Sequence, residues 1–179
     1  MSFALLSEKA AEHLAWIGQE CIGVVPAEQK EWTFNTATLG LGAVSPLIDE
    51  VKRWSGPGSY IYYFQCLEDS DLDLVFNSFS ASKLRDTGLR SYAKPNAPSP
   101  CLYVGGSKSI VSRLKQHLGY SAAKGTYSLQ LLHWASHLSL QLNFGCARYH
   151  PAPSQPVLQA LEDTLWDCKK PMLGRRGAR

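Results

Sequence analysis

Three side chains in the second half of this sequence are of types, and at spacings, suited to work on a phosphate group. Arg113 and His117 stand four apart in a segment whose Ile110, Val111, Leu114 and Leu118 form one apolar stripe. At about 100° per residue they lie beside one another on the flank of that stripe, at the boundary between core and solvent. Glu162 borders a second stripe, made by Leu158, Leu161, Leu165 and Cys168, while Asp163 and Asp167 point away from it. A fixed guanidinium stabilises charge developing on phosphoryl oxygens, and a histidine can move a proton near neutral pH. A carboxylate with waters can hold a hard divalent cation.

The charge distribution points the same way. The chain of 179 residues carries a net charge of only +3, but residues 1–99 hold 8 Lys/Arg against 12 Asp/Glu and residues 100–179 hold 10 against 3, so −4 gives way to +7. The second half is the half expected to meet phosphate. With 45% hydrophobic residues the chain can bury one good core, which argues against two equal domains. No stretch approaches the roughly 20 apolar residues of a membrane span, and residues 1–8 lack the order of a secretory signal, so a cytoplasmic protein with no membrane partner is expected. The cysteines (Cys21, Cys66, Cys101, Cys146, Cys168) are odd in number and never form Cys-x-x-Cys. They read as mostly buried thiols rather than as a disulfide framework or zinc ribbon.

The elements that must position these groups can be read in outline. Ser7 is a candidate N-cap for a helix over about 8–20, and Trp32 to Leu41 reads as irregular or extended chain. Pro46 to Trp54 reads as a short helix stopped by Ser55-Gly56-Pro57-Gly58. Ser59 to Phe64 is aromatic and β-branched enough for a strand covered on both faces, and Cys101 to Val104 is a second, short strand. Residues 67–99 look inserted between them. The acidic run Glu68–Asp73 lacks the central Gly and distal Glu of a Ca²⁺ loop and reads as a solvated loop. Ser107 can cap the Arg113 helix, a further helix is expected over Tyr127 to His137, and Ser139 to Cys146 suits a third strand. His133 and His137 are four apart, but no glutamate follows His133, so they read as half-buried helix residues rather than a zinc clamp. A last helix over about 155–169, with Pro156 in its first turn, ends at Lys169-Lys170-Pro171.

On this frame the residues fall into a known pattern. Pro57-Gly58-Ser59-Tyr60 resembles the first signature of the GIY-YIG nucleases, and Tyr103-Val104-Gly105 resembles the second. Arg113 follows ten residues after Tyr103, His117 four later, and Glu162 sits mid-helix ahead of Lys170-Pro171, in the order and spacing of the homing-endonuclease branch. Tyr62 also follows an isoleucine, as the family's motif tyrosine commonly does, but the preceding Pro-Gly favours Tyr60. The resemblance covers residues 57–66 and about 100–177.

The resemblance implies an α+β fold of the α/β sandwich kind: a small three-stranded, mainly antiparallel sheet flanked by helices. Residues 1–55 would form an N-terminal helical extension packing on a nuclease domain over 56–179. It implies a metal-dependent endonuclease hydrolysing phosphodiester bonds, in DNA, as a monomer or homodimer. Tyr60 would take the water's proton or orient it, and Tyr103 would position water or phosphate. Arg113 would stabilise the phosphoryl charge, and His117 would act as an alternative base, donate to the phosphate or assist the leaving group. Glu162 would hold one Mg²⁺ or Mn²⁺. Gly105, Lys108, Lys170, Arg175 and Arg176 are expected to contact substrate, the basic tail 169–179 lying along the nucleic-acid backbone.

Two departures bear on these expectations. The family commonly has an asparagine shortly after Lys-Pro, where this chain has Gly174, and Tyr60 to Tyr103 spans 43 positions where the signatures usually stand about a dozen apart. The insertion brings Lys83, Arg85, Arg90 and Lys94, which could touch phosphates. A nucleic-acid-binding module without catalysis and a protein-interaction domain are the competing readings.

Overall fold

The structure, a computed structural model, describes residues 3–40, 46–67, 71–86, 88–121 and 126–177. In chain order they form α1 (Phe3–Cys21), β1 (Glu28–Asn35), α2 (Pro46–Trp54), β2 (Ser59–Cys66), α3 (Leu72–Arg85), β3 (Cys101–Ser107), α4 (Ile110–Leu118), β4 (Gln141–Tyr149) and α5 (Gln155–Lys169). The strands make one antiparallel sheet in the order β1-β4-β2-β3, so the fold is α+β as expected.

β2 owes its central place to its composition. Tyr60, Tyr62 and Phe64 face one side and Ile61 and Tyr63 the other, so both faces bury apolar area, and β3 and β4 satisfy its two edges. On the first face Tyr62, Phe64, Phe144 and Trp32 pack with Leu47, Ile48, Leu114 and Leu118 of α2 and α4. On the second, Ile61 and Tyr149 pack with Leu158, Leu161 and Leu165 of α5.

The sheet has four strands, not three. The extra one is β1, from the N-terminal segment that the sequence marks only as irregular or extended. As an edge strand it buries Trp32 and leaves most of its other side chains in solvent, so its composition carries little strand signal. Trp32 lies opposite Phe144 of β4, ring centroids 5.6 Å apart. The N-terminal segment therefore completes the sheet as well as packing on it. α1 starts at Phe3, which puts Ser7 inside the helix rather than at its cap.

The insertion is also more ordered than its polarity suggests. Asp71 caps α3 by accepting from the Leu74 N–H at 3.0 Å, so this end of the acidic run is a helix start, while Glu68–Ser70 lie outside the described residues. Val75, Phe79, Tyr92 and Ala93 enter the main core. Residues 94–96 then run beside the C-terminal tail: the Gly174 N–H donates to Lys94 O at 2.7 Å and the Asn96 N–H to Met172 O at 2.8 Å. Met172 and Leu173 are themselves buried and hydrogen-bonded to Cys101 O and Leu102 O of β3. This part of the tail is core, not a loose arm.

Over 127–137 the expected helix is replaced by two 3₁₀ turns, Leu131–His133 and Ser136–Leu138. Gln130, at φ 57°, precedes the first, and Tyr127 O, which a helix begun there would give to the Leu131 N–H, accepts from a side chain, so the α-helical ladder is broken in its first turn. His133 and His137 fall on separate turns, the first half-buried and the second exposed. Ser107 does not cap α4: its Oγ accepts from the N–H of Ser109 at 3.0 Å, and Ser109, two residues further on, holds the N-cap position. Cys66, Cys101 and Cys146 are buried, as expected of most of the thiols, whereas Cys21 is half-buried and Cys168 exposed.

Candidate active site

The site forms where β2, β3 and α4 meet. Antiparallel pairing sets Tyr62 opposite Gly105, with Tyr103 two residues along the same face. The two tyrosine rings stack with centroids 6.2 Å apart and an interplanar angle of 17°. A Cβ on residue 105 would stand 2.7 Å from the Tyr103 ring and 2.8 Å from the Tyr62 hydroxyl. Gly105 is thus a buried spacer that lets both rings close over it, rather than a surface contact for substrate.

α4 lays Arg113 and His117 over this pair. Arg113 Nε donates to the Tyr62 hydroxyl at 2.9 Å, Nη2 to the Tyr103 hydroxyl at 2.9 Å and to Tyr127 O at 2.8 Å, and Nη1 to Gln116 Oε1 at 2.8 Å. Four of the five guanidinium N–H groups are therefore held by protein. Burial disfavours its charge, but the two tyrosine oxygens outweigh this and hold its pKa above the ordinary arginine value.

His117 is fully buried, not at the solvent boundary that helix geometry suggests. Its Nδ1 accepts from the Leu129 N–H at 3.2 Å, and Nε2 lies 3.0 Å from the Tyr62 hydroxyl. Burial, and then the Arg113 charge, push its pKa well below the usual histidine value. A neutral ring that accepts at Nδ1 carries its proton on Nε2, so His117 donates to Tyr62. The Tyr62 oxygen thus receives two N–H donors, from Arg113 and His117, and its own proton is left to point elsewhere. Burial raises the Tyr62 pKa above the ordinary tyrosine value, with Arg113 opposing it, so the resting group is a phenol.

Glu162, in the middle of α5, is largely buried and shares a pocket of about 390 Å³ with Tyr103, Arg113, Gln116 and the residues Ser107, Ser109 and Ser112. Asp163 and Asp167 face away, where they pair with Arg176. Among the described residues no three His, Cys, Asp or Glu side chains converge. One carboxylate among serines still fits Mg²⁺, which is commonly bound by one or two carboxylates, waters and a substrate phosphate.

The remaining expected residues are divided. Tyr60 shares a sheet face with Tyr62, but its hydroxyl donates to Gly56 O and accepts from the Gly56 N–H at 2.9 Å, and its ring packs edge-on to Trp54. It anchors the turn before β2 and takes no part in the Arg113 network. Lys108 is exposed near the start of α4 and does not line the Glu162 pocket. Lys170 and Arg176 line a separate depression with Trp166, and Arg176 is bound to Asp167 at 2.9 Å. Arg175 lines a pocket that adjoins the site. Gly174, at φ 111°, packs against Tyr103 and Trp166, where a Cβ would come within 3.0 Å. An asparagine does reach this turn, from the insertion: Asn96 Nδ2 donates to Pro171 O at 3.1 Å and to Gly174 O at 3.4 Å.

Sequence reasoning set Tyr62 second and missed Gln116, the Leu129 N–H and Tyr127 O. Alternation could not separate Tyr60 from Tyr62, since both face the same way. The cross-strand partner can, because only Tyr62 is opposite the glycine of Tyr-Val-Gly. Comparisons of the chain with protein-family models, with curated proteins and with solved structures found no match.

Proposed function

We propose that this chain is a metal-dependent endonuclease of the GIY-YIG type, hydrolysing phosphodiester bonds in DNA, with Tyr62 in the place first given to Tyr60. The observation that carries this reading is Arg113, fixed by the Tyr62 and Tyr103 hydroxyls on the wall of the pocket that also contains Glu162. Of the five residues named by the resemblance, Tyr103, Arg113 and Glu162 share that pocket, whereas His117 is buried behind it and Tyr60 lies elsewhere on the sheet face.

Arg113 meets the scissile phosphate with its charge already placed, so little reorganisation opposes the build-up of negative charge on the phosphoryl oxygens. Tyr62, fully buried behind the pocket wall, serves the site by fixing Arg113. Neutral His117 acts as a positioning group for Tyr62 rather than as a proton store. Tyr103 holds Arg113 and lines the pocket. Glu162 would hold Mg²⁺ or Mn²⁺, which when bound polarises the phosphate and eases departure of the leaving oxygen.

Plasmid nicking tests this. Wild type should nick with Mg²⁺ and stop with EDTA, and Arg113→Ala and Glu162→Ala should each lose about 10²-fold or more. Equal nicking by all three proteins would end the assignment. Gly174 in place of the family's asparagine favours a second reading, a module that binds nucleic acid without cutting it. Binding without nicking in the same assay would select that one.

A further inference from the structure

We propose that the recess between the inserted segment and the C-terminal tail takes an unpaired stretch of nucleic-acid strand, next to the phosphate at Arg113. This rests on the nuclease reading for the class of ligand. The recess has a volume of about 670 Å³. Among the described residues its cations are Lys83, Arg90 and Lys94 from the insertion, Arg113 from α4 and Arg175 from the tail, against one carboxylate, Asp86. Asp86 is paired with Arg90 at 2.6 Å, so the lining offers no carboxylate to the other four cations. Burial, and then the nearby Arg175 charge, hold the Lys83 pKa below its ordinary value. Positive charge gathered without compensation in a recess calls for a polyanion.

Shape and chemistry select the form of that polyanion. A recess of this size is in the range that holds small-molecule-sized units, so it admits nucleotides one at a time, whereas a duplex meets proteins along a broad face. Tyr127, 65% exposed, lines the same recess, with Tyr92 and Tyr103 also on its wall. Tyr127 is the exposed ring of the three, and an exposed aromatic ring beside cations is what an unpaired base needs for stacking. The recess shares Tyr103, Arg113 and Thr126 with the Glu162 pocket, so a strand lying in it runs directly onto the guanidinium.

Binding measured in EDTA separates this from catalysis. The full chain is titrated by fluorescence anisotropy against a single-stranded oligothymidylate of roughly ten nucleotides and against a blunt DNA duplex of equal length. The single strand should bind at least about tenfold more tightly. Lys94→Glu, at an exposed position, should weaken it about tenfold and lower the slope of log affinity against log salt by about 0.7, the value of one strand contact. Tyr127→Ala should weaken it about tenfold by removing a stacking face. Duplex binding as tight as single-strand binding, or unchanged single-strand affinity in both variants, overturns the proposal. If wild type nicks plasmid yet both variants bind normally, the recess assignment falls and the nuclease reading stands. If the variants lose the strand and nothing nicks, the reverse holds.

Discussion

The two tyrosines of β2 share a face and differ in what their hydroxyls meet: Gly56 backbone for Tyr60, Arg113 and His117 for Tyr62. Their phenylalanine variants should therefore part company. Tyr62→Phe removes an anchor of Arg113, and should cut nicking by about 10²-fold while leaving the fold intact. Tyr60→Phe should keep nicking near wild type and lose about 1 kcal/mol in urea unfolding, because the Gly56 turn loses its bonds. His117 predicts a pH signature. Its folded pKa is depressed by burial and by Arg113, while unfolded histidine titrates near 6.5, so the folded state is favoured fully above about that value. That contribution is lost as pH falls below about 6.5 toward the lower folded-state value. Thermal melts should show Tm falling from about pH 7 to pH 5. The fall should be shallower in His117→Gln, which can still accept from Leu129 but cannot titrate. Equal slopes in the two proteins would contradict a buried neutral His117.

At the scale of elements, the β2–β3 pair acts as a template whose register decides which tyrosine meets Arg113. Gly105 is the position on which this depends. Gly105→Ala puts a methyl group 2.7 Å from the half-buried Tyr103 ring and 2.8 Å from the hydroxyl of the fully buried Tyr62, so the rings must shift to admit it. We expect a loss of about 1–3 kcal/mol in chemical unfolding together with loss of nicking, since the same displacement moves both anchors of Arg113. The irregular segment after α4 has a comparable task. A regular helix over 127–137 would give Tyr127 O to the Leu131 N–H, whereas the open chain leaves Tyr127 O for Arg113 and directs the Leu129 N–H to His117 Nδ1. Leu129, Leu131, Trp134 and Ala135 are fully buried despite this irregularity, which keeps the segment rigid enough to hold both side chains.

For the whole molecule, the sheet order puts the N-terminal segment to structural use: β1 covers the outer edge of β4, and Trp32 closes the core over Phe144. Trp32→Ala should lower stability by about 3–5 kcal/mol, and removal of residues 1–35 should leave an uncovered β4 edge that aggregates. Removal of residues 1–22 deletes only α1, whose described side chains are mostly exposed and which contributes nothing to the site. That truncated protein should keep its nicking activity and melt within about 5 °C of wild type. A larger drop in calorimetry would mean that α1 holds the sheet through α5. The charge layout is likewise a property of the tertiary fold. Lys83 and Lys94 belong to the net-acidic half of the sequence, yet they line one recess with Arg113 and Arg175 of the basic half.

The sequence alone determined the central strand, because residues 59–64 are apolar on both faces, and the Arg113 and Glu162 helices, because their stripes repeat at helical spacing. It also determined that Glu162, among the three acids of α5, is the one turned toward the sheet. Tertiary structure decided the rest. β1 became a strand because an existing sheet offered it an edge, a preference that polar residues do not advertise locally. Residues 127–137 were kept from a helix by the positive φ of Gln130 and by the bond from Arg113 to Tyr127 O, reaching over 14 positions. The choice between Tyr60 and Tyr62 was made across the sheet, by the glycine on the facing strand, and spacing along one chain cannot express a cross-strand register.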